Sequence, residues 1–286
     1  MKKAFLLLLL AAVSCSREPV VEYLGALEGV EGHSYQGMDV YGDIVVSCQD
    51  EGVATVYRLA DGSFSKLGQF MLASAHPYNH SNVVTFGLEK ADAEATVPVM
   101  YISQCHPQRI NGDKDALFVE QLAPDMQSSR LVQTIVYDDT VGDYGYAVQW
   151  VIDRRKKLLY GYGNTVSNSD PENRHRVICF RLPTLAEGPR VVLHREDALE
   201  DYLIEEVSDF RFNPIGQGLY IERGKLYLPT GVGDEARPSI LYIWDLRKKR
   251  MEVVDLTQKT VGELEDISRY GNDWLLQGQE GLFLMH

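Results

Sequence analysis

The sequence predicts an all-β fold, a closed ring of five four-stranded antiparallel sheets, on three observations. A unit of four short apolar runs divided by turn residues recurs with starts at residues 36, 80, 147, 217 and 265. Two of these units open on the same dipeptide, Gln36-Gly37 and Gln217-Gly218. The last unit has only three runs, and a spare run near the beginning, "VVEYLGAL" at 20–27, can supply the fourth.

Each unit reads as an antiparallel meander, because its runs are short, partly alternating and rich in Val, Ile, Leu and Tyr. The first contains "MDV", "IVV", "VATVYRL" and "KLGQF", with Asp61-Gly62 between the last two. Gly accepts the positive φ of a tight hairpin, so that dipeptide is a strong turn signal. The second contains "VVTF", "VPVMYIS", "ALFVEQL" and "LVQTIVY", and the third "VQWVI", "KLLYGYG", "VICFRL" and "RVVL". The fourth contains "LYI", "KLYL", "ILYIWDL" and, after the basic turn "RKKR", "MEVVDL". The fifth stops after "ISRY", "DWLLQ" and "GLFLM". Sheets of this kind bury both faces against their neighbours and leave only short edges, so the expected fold is a five-bladed β-propeller closed by N-terminal strand pairing. Uneven spacing places insertions in the second and third blades, and a six-bladed ring follows if the stretch 80–216 fuses two units. "EDALEDYLIEEV", 196–207, departs from strand texture. Leu199, Tyr202, Leu203 and Val207 fall at helical spacing, which predicts a short amphipathic helix, a candidate lid over the channel mouth.

The chain begins with Lys2, Lys3 and an apolar run to Val13, followed by Ser14-Cys15. A basic start, a short apolar stretch and small residues before a cut describe an export signal. Ala12-Val13-Ser14-Cys15 resembles a lipobox, with Ala where the usual Leu stands three residues before the Cys. The resemblance implies cleavage before Cys15 and acylation of that residue, and several acyl chains together hold a protein stably at a bilayer. The expected organisation is a signal peptide at 1–14, a lipidated tether at 15–19 and one propeller domain at 20–286. No other run is long enough to span a membrane, so membrane contact is expected through the anchor only. Loss of Lys2 and Lys3 moves the formal charge from −13 to −15, and so negative a surface argues against nucleic acid as a partner. Cys48, Cys105 and Cys179 remain. An odd number in a chain long enough for a large core predicts mainly buried free thiols, with a Cys48–Cys105 bridge as the alternative.

In a propeller the first strand of each blade lines the central channel, and the loop leading into it reaches one mouth. The residues there are Tyr35 and Gln36, His80 and Asn82, Gln149 and Trp150, Gln217, and Glu265 with Asp266. Polar and aromatic groups converging from every blade form the candidate ligand site. The alternative is that they bond one another and tie the blades together. His76 and His80 in "HPYNHSN" are weak metal candidates, because Pro77 favours a loop and the Glu of a zinc-protease helix is missing. Asn111, Asp113 and Asp115 imitate the start of a calcium loop, yet Leu122 stands where the closing Glu belongs, so a hairpin is the better reading. The basic groups at 154–157 and 247–250 fall at strand turns, where solvated charges are expected. No nucleophile elbow or phosphate loop occurs, and no cofactor is expected.

"QGLYIERGKLYLPTGVGDEARPSILYIWDL" resembles a blade of the plant- and bacterial-type glutaminyl cyclases, five-bladed propellers that cyclise N-terminal glutamine. That family's blade is followed by Phe-Gly-Glu-Gly, and the counterpart here is Val261-Gly262-Glu263-Leu264. The resemblance implies an acid and base role for Glu263. The whole chain resembles the β-propeller lipoproteins of Gram-negative bacteria, which implies a place in the cell envelope, at the periplasmic or surface side of the outer membrane. The leading expectation is therefore a lipid-anchored module that binds a peptide, glycan or protein at the channel mouth and need not be an enzyme. The alternatives are a cyclase working through Glu263 and a structural subunit of an envelope complex.

Overall fold

The computed structural model describes residues 18–138, 145–212, 215–260 and 262–286. The leader, Cys15 and Val261 fall outside them. Strand β1 (Val21–Gly25) comes first. Blade one is β2 (Tyr35–Tyr41), β3 (Ile44–Gln49), β4 (Val53–Ala60) and β5 (Ser63–Met71). Blade two is β6 (Val83–Phe86), β7 (Met100–Ser103), β8 (Leu117–Leu122) and β9 (Ser129–Tyr137). Blade three opens with β10 (Ala147–Asp153), β11 (Leu158–Asn164) and β12 (His175–Arg181), after which come β13 (Arg190–Leu193), β14 (Glu200–Leu203) and the single helical turn α1 (Ile204–Val207). Blade four is β15 (Tyr220–Glu222), β16 (Lys225–Thr230), β17 (Ile240–Asp245) and β18 (Arg250–Asp255), and blade five is β19 (Leu264–Tyr270), β20 (Asp273–Gly278) and β21 (Gly281–Met285).

The five sheets form a five-bladed β-propeller. β1 pairs antiparallel with β21, Val21 opposite Met285 and Tyr23 opposite Phe283, and so completes blade five with the expected N-terminal strand. The innermost strands touch in cyclic order: β2 meets β6, β6 meets β10, β10 meets β15, β15 meets β19, and β19 meets β2. Between each adjacent pair of blades lies a buried apolar cluster. Val46 and Val56 of blade one pack with Phe86 and Ile102 of blade two, and Tyr101 and Val119 of blade two pack with Trp150 and Phe180 of blade three. Tyr160 and Val177 meet Leu226 and Trp244 across the next interface. Leu241 meets Ile267 and Phe283, and Leu275 and Leu282 meet Met38 and Tyr57. Burial of apolar area at the interfaces, in amounts no single sheet could achieve alone, is what holds the ring.

The recurring Gln-Gly has a steric origin. Gly37 N–H donates to Ser81 O of blade two (2.9 Å), and Gly218 N–H donates to Glu265 O of blade five (2.6 Å). These are the same bond at the same place in two blades, each reaching the next blade in the ring. A Cβ on Gly37 would stand 2.6 Å from Ser81 O, and one on Gly218 would stand 2.6 Å from Glu265 O. Any larger residue would therefore push the inner strands apart.

Two sequence expectations are corrected. "RVVL" is not the fourth strand of blade three: β13 crosses to blade two and pairs parallel with β9, Arg190 opposite Thr134 and Leu193 opposite Tyr137. The buried amide of Gln133 holds this crossing by donating to Thr184 O and Gly188 O, and Arg190 makes a bidentate pair with Asp113 at 2.7 Å. The stretch 196–207 is not a helical lid. β14 instead satisfies the open edge of β12, Arg176 opposite Leu203 and Cys179 opposite Glu200, and Asp201 pairs with Arg176 and Arg195. Only Ile204–Val207 is helical. An unpaired ladder of backbone donors and acceptors outweighs the local apolar spacing. The hairpin readings agree with the structure. Asp61 and Gly62 both take positive φ between the paired Ala60 and Ser63, and Asn111-Gly112 does the same between Ile110 and Asp113. Cys48, Cys105 and Cys179 are free thiols.

Gly37→Ala and Gly218→Ala are expected to lower stability by about 1–3 kcal/mol each through overpacking against backbone. Gly216→Ala, where an added Cβ meets nothing within 4 Å, serves as the neutral comparison. Chemical denaturation of the three variants checks this, and equal stability for all of them would contradict it.

Candidate functional site

Four of the five blades send side chains to one cavity of about 260 Å³ at the channel mouth. Gln36 comes from β2, His80 and Asn82 from the loop before β6, Gln149 from β10, and Gln217 from the segment before β15. These five are sequence-predicted site residues, and the fold brings them together. The other four sit elsewhere. The half-buried Tyr35 exchanges backbone bonds with the Gln279 amide. Trp150 packs in the core between blades two and three, and its indole N–H donates to Asp115 O at 2.7 Å. Glu265 and Asp266 are buried on β19, outside the cavity lining.

The floor is organised by one backbone carbonyl. Gln217 O accepts the side-chain N–H of Asn82 at 3.2 Å and that of Gln149 from the neighbouring blade. Those bonds fix both amide orientations, since a carbonyl accepts and only the amide nitrogen can donate to it. The Gln217 side chain in turn donates to Gly231 O and to the Glu263 carboxylate. Gln36 O plays the corresponding part in blade one by accepting from Gln277 Nε2 at 2.8 Å.

Sequence reasoning missed the wall contributed by blade three. His175, at the start of β12, lines the cavity and is 1% exposed. Its ring lies between Phe212, 4.2 Å away, and Tyr162, 5.9 Å away, in near-parallel stacks. His175 Nδ1 lies 2.6 Å from Glu205 Oε1, while His175 N–H donates to Glu205 Oε2. Burial raises the Glu205 carboxyl, but the hydrogen bonds from the His175 side chain and backbone outweigh it and hold the group below its usual range. The pairing turns on α1, which presents Glu205, and nothing in the spacing of residues 175 and 205 announces it. Cys105 also lines the cavity, with a φ of 40°. Burial and then Asp115 push its thiol up, against hydrogen bonds from Asn82 and Gln149, so it is a poor nucleophile as it stands.

His80 is half-buried, and desolvation followed by the neighbouring His106 lowers its pKa. His76 meets Tyr78 at a tilt, and Tyr78 in turn stacks on His106. Among the described residues no three His, Cys, Asp or Glu side chains gather as a metal cluster. Deeper along the axis, Asp266 accepts from Met38 N (2.7 Å) and Ile267 N (2.8 Å), and burial raises its pKa well above the usual range. Asp39 accepts from Phe86 N and Ser268 Oγ and faces Arg154 at 3.6 Å. Arg154, expected at a solvated turn, instead neutralises this buried carboxylate. Glu265 is pushed up to about 8, first by burial and then by Glu263, against the hydrogen bond from Gln279.

Fold and site together define the class, a five-bladed propeller with a polar cavity at one channel mouth. No family model and no curated protein matches the sequence. Among solved structures, the chain is similar to a protein of Thermus thermophilus described as a putative oxidoreductase (glucose dehydrogenase), with a TM-score of 0.51 and 11% identity over 94% of this chain and 100% of that one. Weaker likenesses are to the computationally designed Ika8 protein (TM-score 0.37, 9% identity, 92% of this chain and 99% of that) and to U3-55K (TM-score 0.39, 14% identity, 90% of this chain and 61% of that). At such identities the likeness shows the fold alone.

The raised pKa of Glu265 makes a stability prediction. The native state keeps this proton while the unfolded chain releases it near the ordinary carboxyl value of 4.5. Its contribution is complete below the unfolded value and is lost as pH rises toward about 8. Between those limits the wild type is expected to lose about 1 kcal/mol per pH unit relative to Glu265→Gln. Parallel denaturation series for the two proteins check it, and curves of equal slope would contradict it.

Proposed function

We propose that the protein is a binding module of the bacterial cell envelope, anchored by lipid at Cys15 and taking its ligand at the channel mouth. The observation that carries this reading is the convergence of side chains from four blades on one cavity, around the single carbonyl of Gln217. Fixed polar groups on a rigid ring favour recognition, because little order remains to be imposed when a ligand arrives. The anchor rests on the leader and Cys15, which belong to the sequence alone. Among the described residues no helix is long and apolar enough to cross a membrane.

A second reading, turnover of an N-terminal glutamine with Glu263 as acid and base, draws on the hydrogen bond that joins Glu263 to the cavity residue Gln217. Burial, and then the charge of Glu263, raises Glu265, so a carboxyl that holds its proton near neutral pH stands close to Glu263. Turnover of a Gln-initiated peptide that disappears in Glu263→Gln would establish the enzyme. Saturable binding without turnover would establish the module.

The site itself is tested by a steric block. Gly216 lines the cavity and has open space where its Cβ would be, so Gly216→Trp is expected to fill the mouth and leave the thermal transition in place. A ligand from a glycan and peptide library retained by the wild type should be lost by this variant; unchanged binding would place the site elsewhere. For the anchor, Cys15→Ala should abolish incorporation of labelled acyl chains and release the protein from membranes. Continued membrane association without acylation would overturn the lipid anchor.

A further inference from the structure

Three buried polar atoms in the wall of the mouth cavity have no hydrogen-bond partner within the protein: Asn82 Oδ1, Gln149 Oε1 and His175 Nε2. Their side chains are more than nine-tenths buried, with residue exposures of 6%, 6% and 1%. Leaving such groups unsatisfied costs free energy, so their clustering in one cavity calls for a complementary occupant.

All three are acceptors. The amide nitrogens of Asn82 and Gln149 donate to Gln217 O, which leaves their oxygens in the cavity wall with no donor beyond the weak S–H of the adjacent Cys105. A carboxylate can only accept, so the bond between His175 Nδ1 and Glu205 places a proton on Nδ1, and in the neutral imidazole Nε2 then keeps its lone pair. A wall of acceptors selects a ligand group that donates without accepting. The alkylammonium ion fits that description with three N–H donors on a single nitrogen for three acceptors and no lone pair, whereas a hydroxyl brings lone pairs that would face these oxygens. Local charge acts in the same direction, because Glu205 stands behind His175 and Glu263 behind Gln217.

We infer that the channel mouth recognises a primary ammonium group through Asn82 Oδ1, Gln149 Oε1 and His175 Nε2. This rests on the reading of the mouth as a binding site and names the chemistry that site takes. Such a group can come from an amino sugar or from a simple aliphatic amine, and the two sources differ in what fills the rest of the cavity.

The test titrates the full chain with glucosamine and with propylamine, each beside its N-acetylated counterpart, which keeps one N–H but loses the charge. Saturable perturbation of the His175 imidazole signals is the readout. Either amine is expected to bind about tenfold or more tightly than its acetylated form, a ratio set by hydrogen bonds to a charged donor. Preference for glucosamine over propylamine would assign the source to amino sugars, and the reverse order to aliphatic amines. Gln149→Met, which at similar volume removes one acceptor together with the donor to Gln217 O, should weaken the amine by about tenfold, and an unchanged amine affinity would contradict the assignment. Equal affinity for amine and acetylated form would overturn the ammonium assignment while leaving the mouth a binding site. Absence of binding by both amines would also overturn it, and the mouth itself would then stand or fall by the library comparison with Gly216→Trp. Asn82→Ser, a smaller change that keeps a donor for Gln217 O, provides a second variant should Gln149→Met fail to fold.

Discussion

The structure depends on how closely the inner strands approach one another around the axis. At Gly37 and Gly218 the backbone of one blade donates directly to a carbonyl of the next, and a single methyl group at either position would stand 2.6 Å from that oxygen. A propeller blade has apolar faces to pack, but packing alone leaves the distance from the axis free. The direct backbone bond sets it. Once the ring is closed to that radius, the residue before each glycine is committed as well: Gln36 O and Gln217 O point their lone pairs at side-chain amides from other blades. One dipeptide thus ties blades together and builds the mouth.

A narrow axis also buries carboxyl groups, and the chain handles this in three ways. Asp39 is 0% exposed and is satisfied by a backbone N–H, a serine hydroxyl and the Arg154 guanidinium. Asp266 is held by two backbone N–H groups, and burial favours its protonated form. Glu265, beside Glu263, shares the second solution in milder form. Breaking the partnership of Asp39 with Arg154 would strand a buried charge, which is far more costly than never having placed it there. The polar axis therefore constrains the fold as much as the apolar interfaces do.

The blades were legible in the sequence because each strand carries its own period and its own turn. Asp61-Gly62 marks a hairpin locally, and a fifth unit with three runs demands a donor such as Val21–Gly25 whatever the rest of the chain does. Gln36, His80, Asn82, Gln149 and Gln217 were legible for the same reason, since position in a blade fixes position at the mouth. What local pattern could not reveal was competition for edges. Arg190–Leu193 finds the outer edge of blade two, and Glu200–Leu203 then takes the edge of blade three that the first segment left open. The same exchange creates the turn that carries Glu205 to His175, so the missed strand and the missed site residue have one cause. Trp150 shows the opposite error: its strand reaches the axis, but alternation turns its ring outward into the core, where Asp115 O receives its N–H.

Residue-resolved native-state hydrogen exchange tests most directly whether the inner backbone bonds hold the ring. The Gly37 and Gly218 amides should exchange only through global unfolding, with the same free energy as Met38 and Phe86 nearby and well above the amides of β1, whose strand pairs with β21 alone. Exchange of Gly37 and Gly218 through local opening, at rates like those of the outer strands, would contradict the claim that blade spacing is set at the axis.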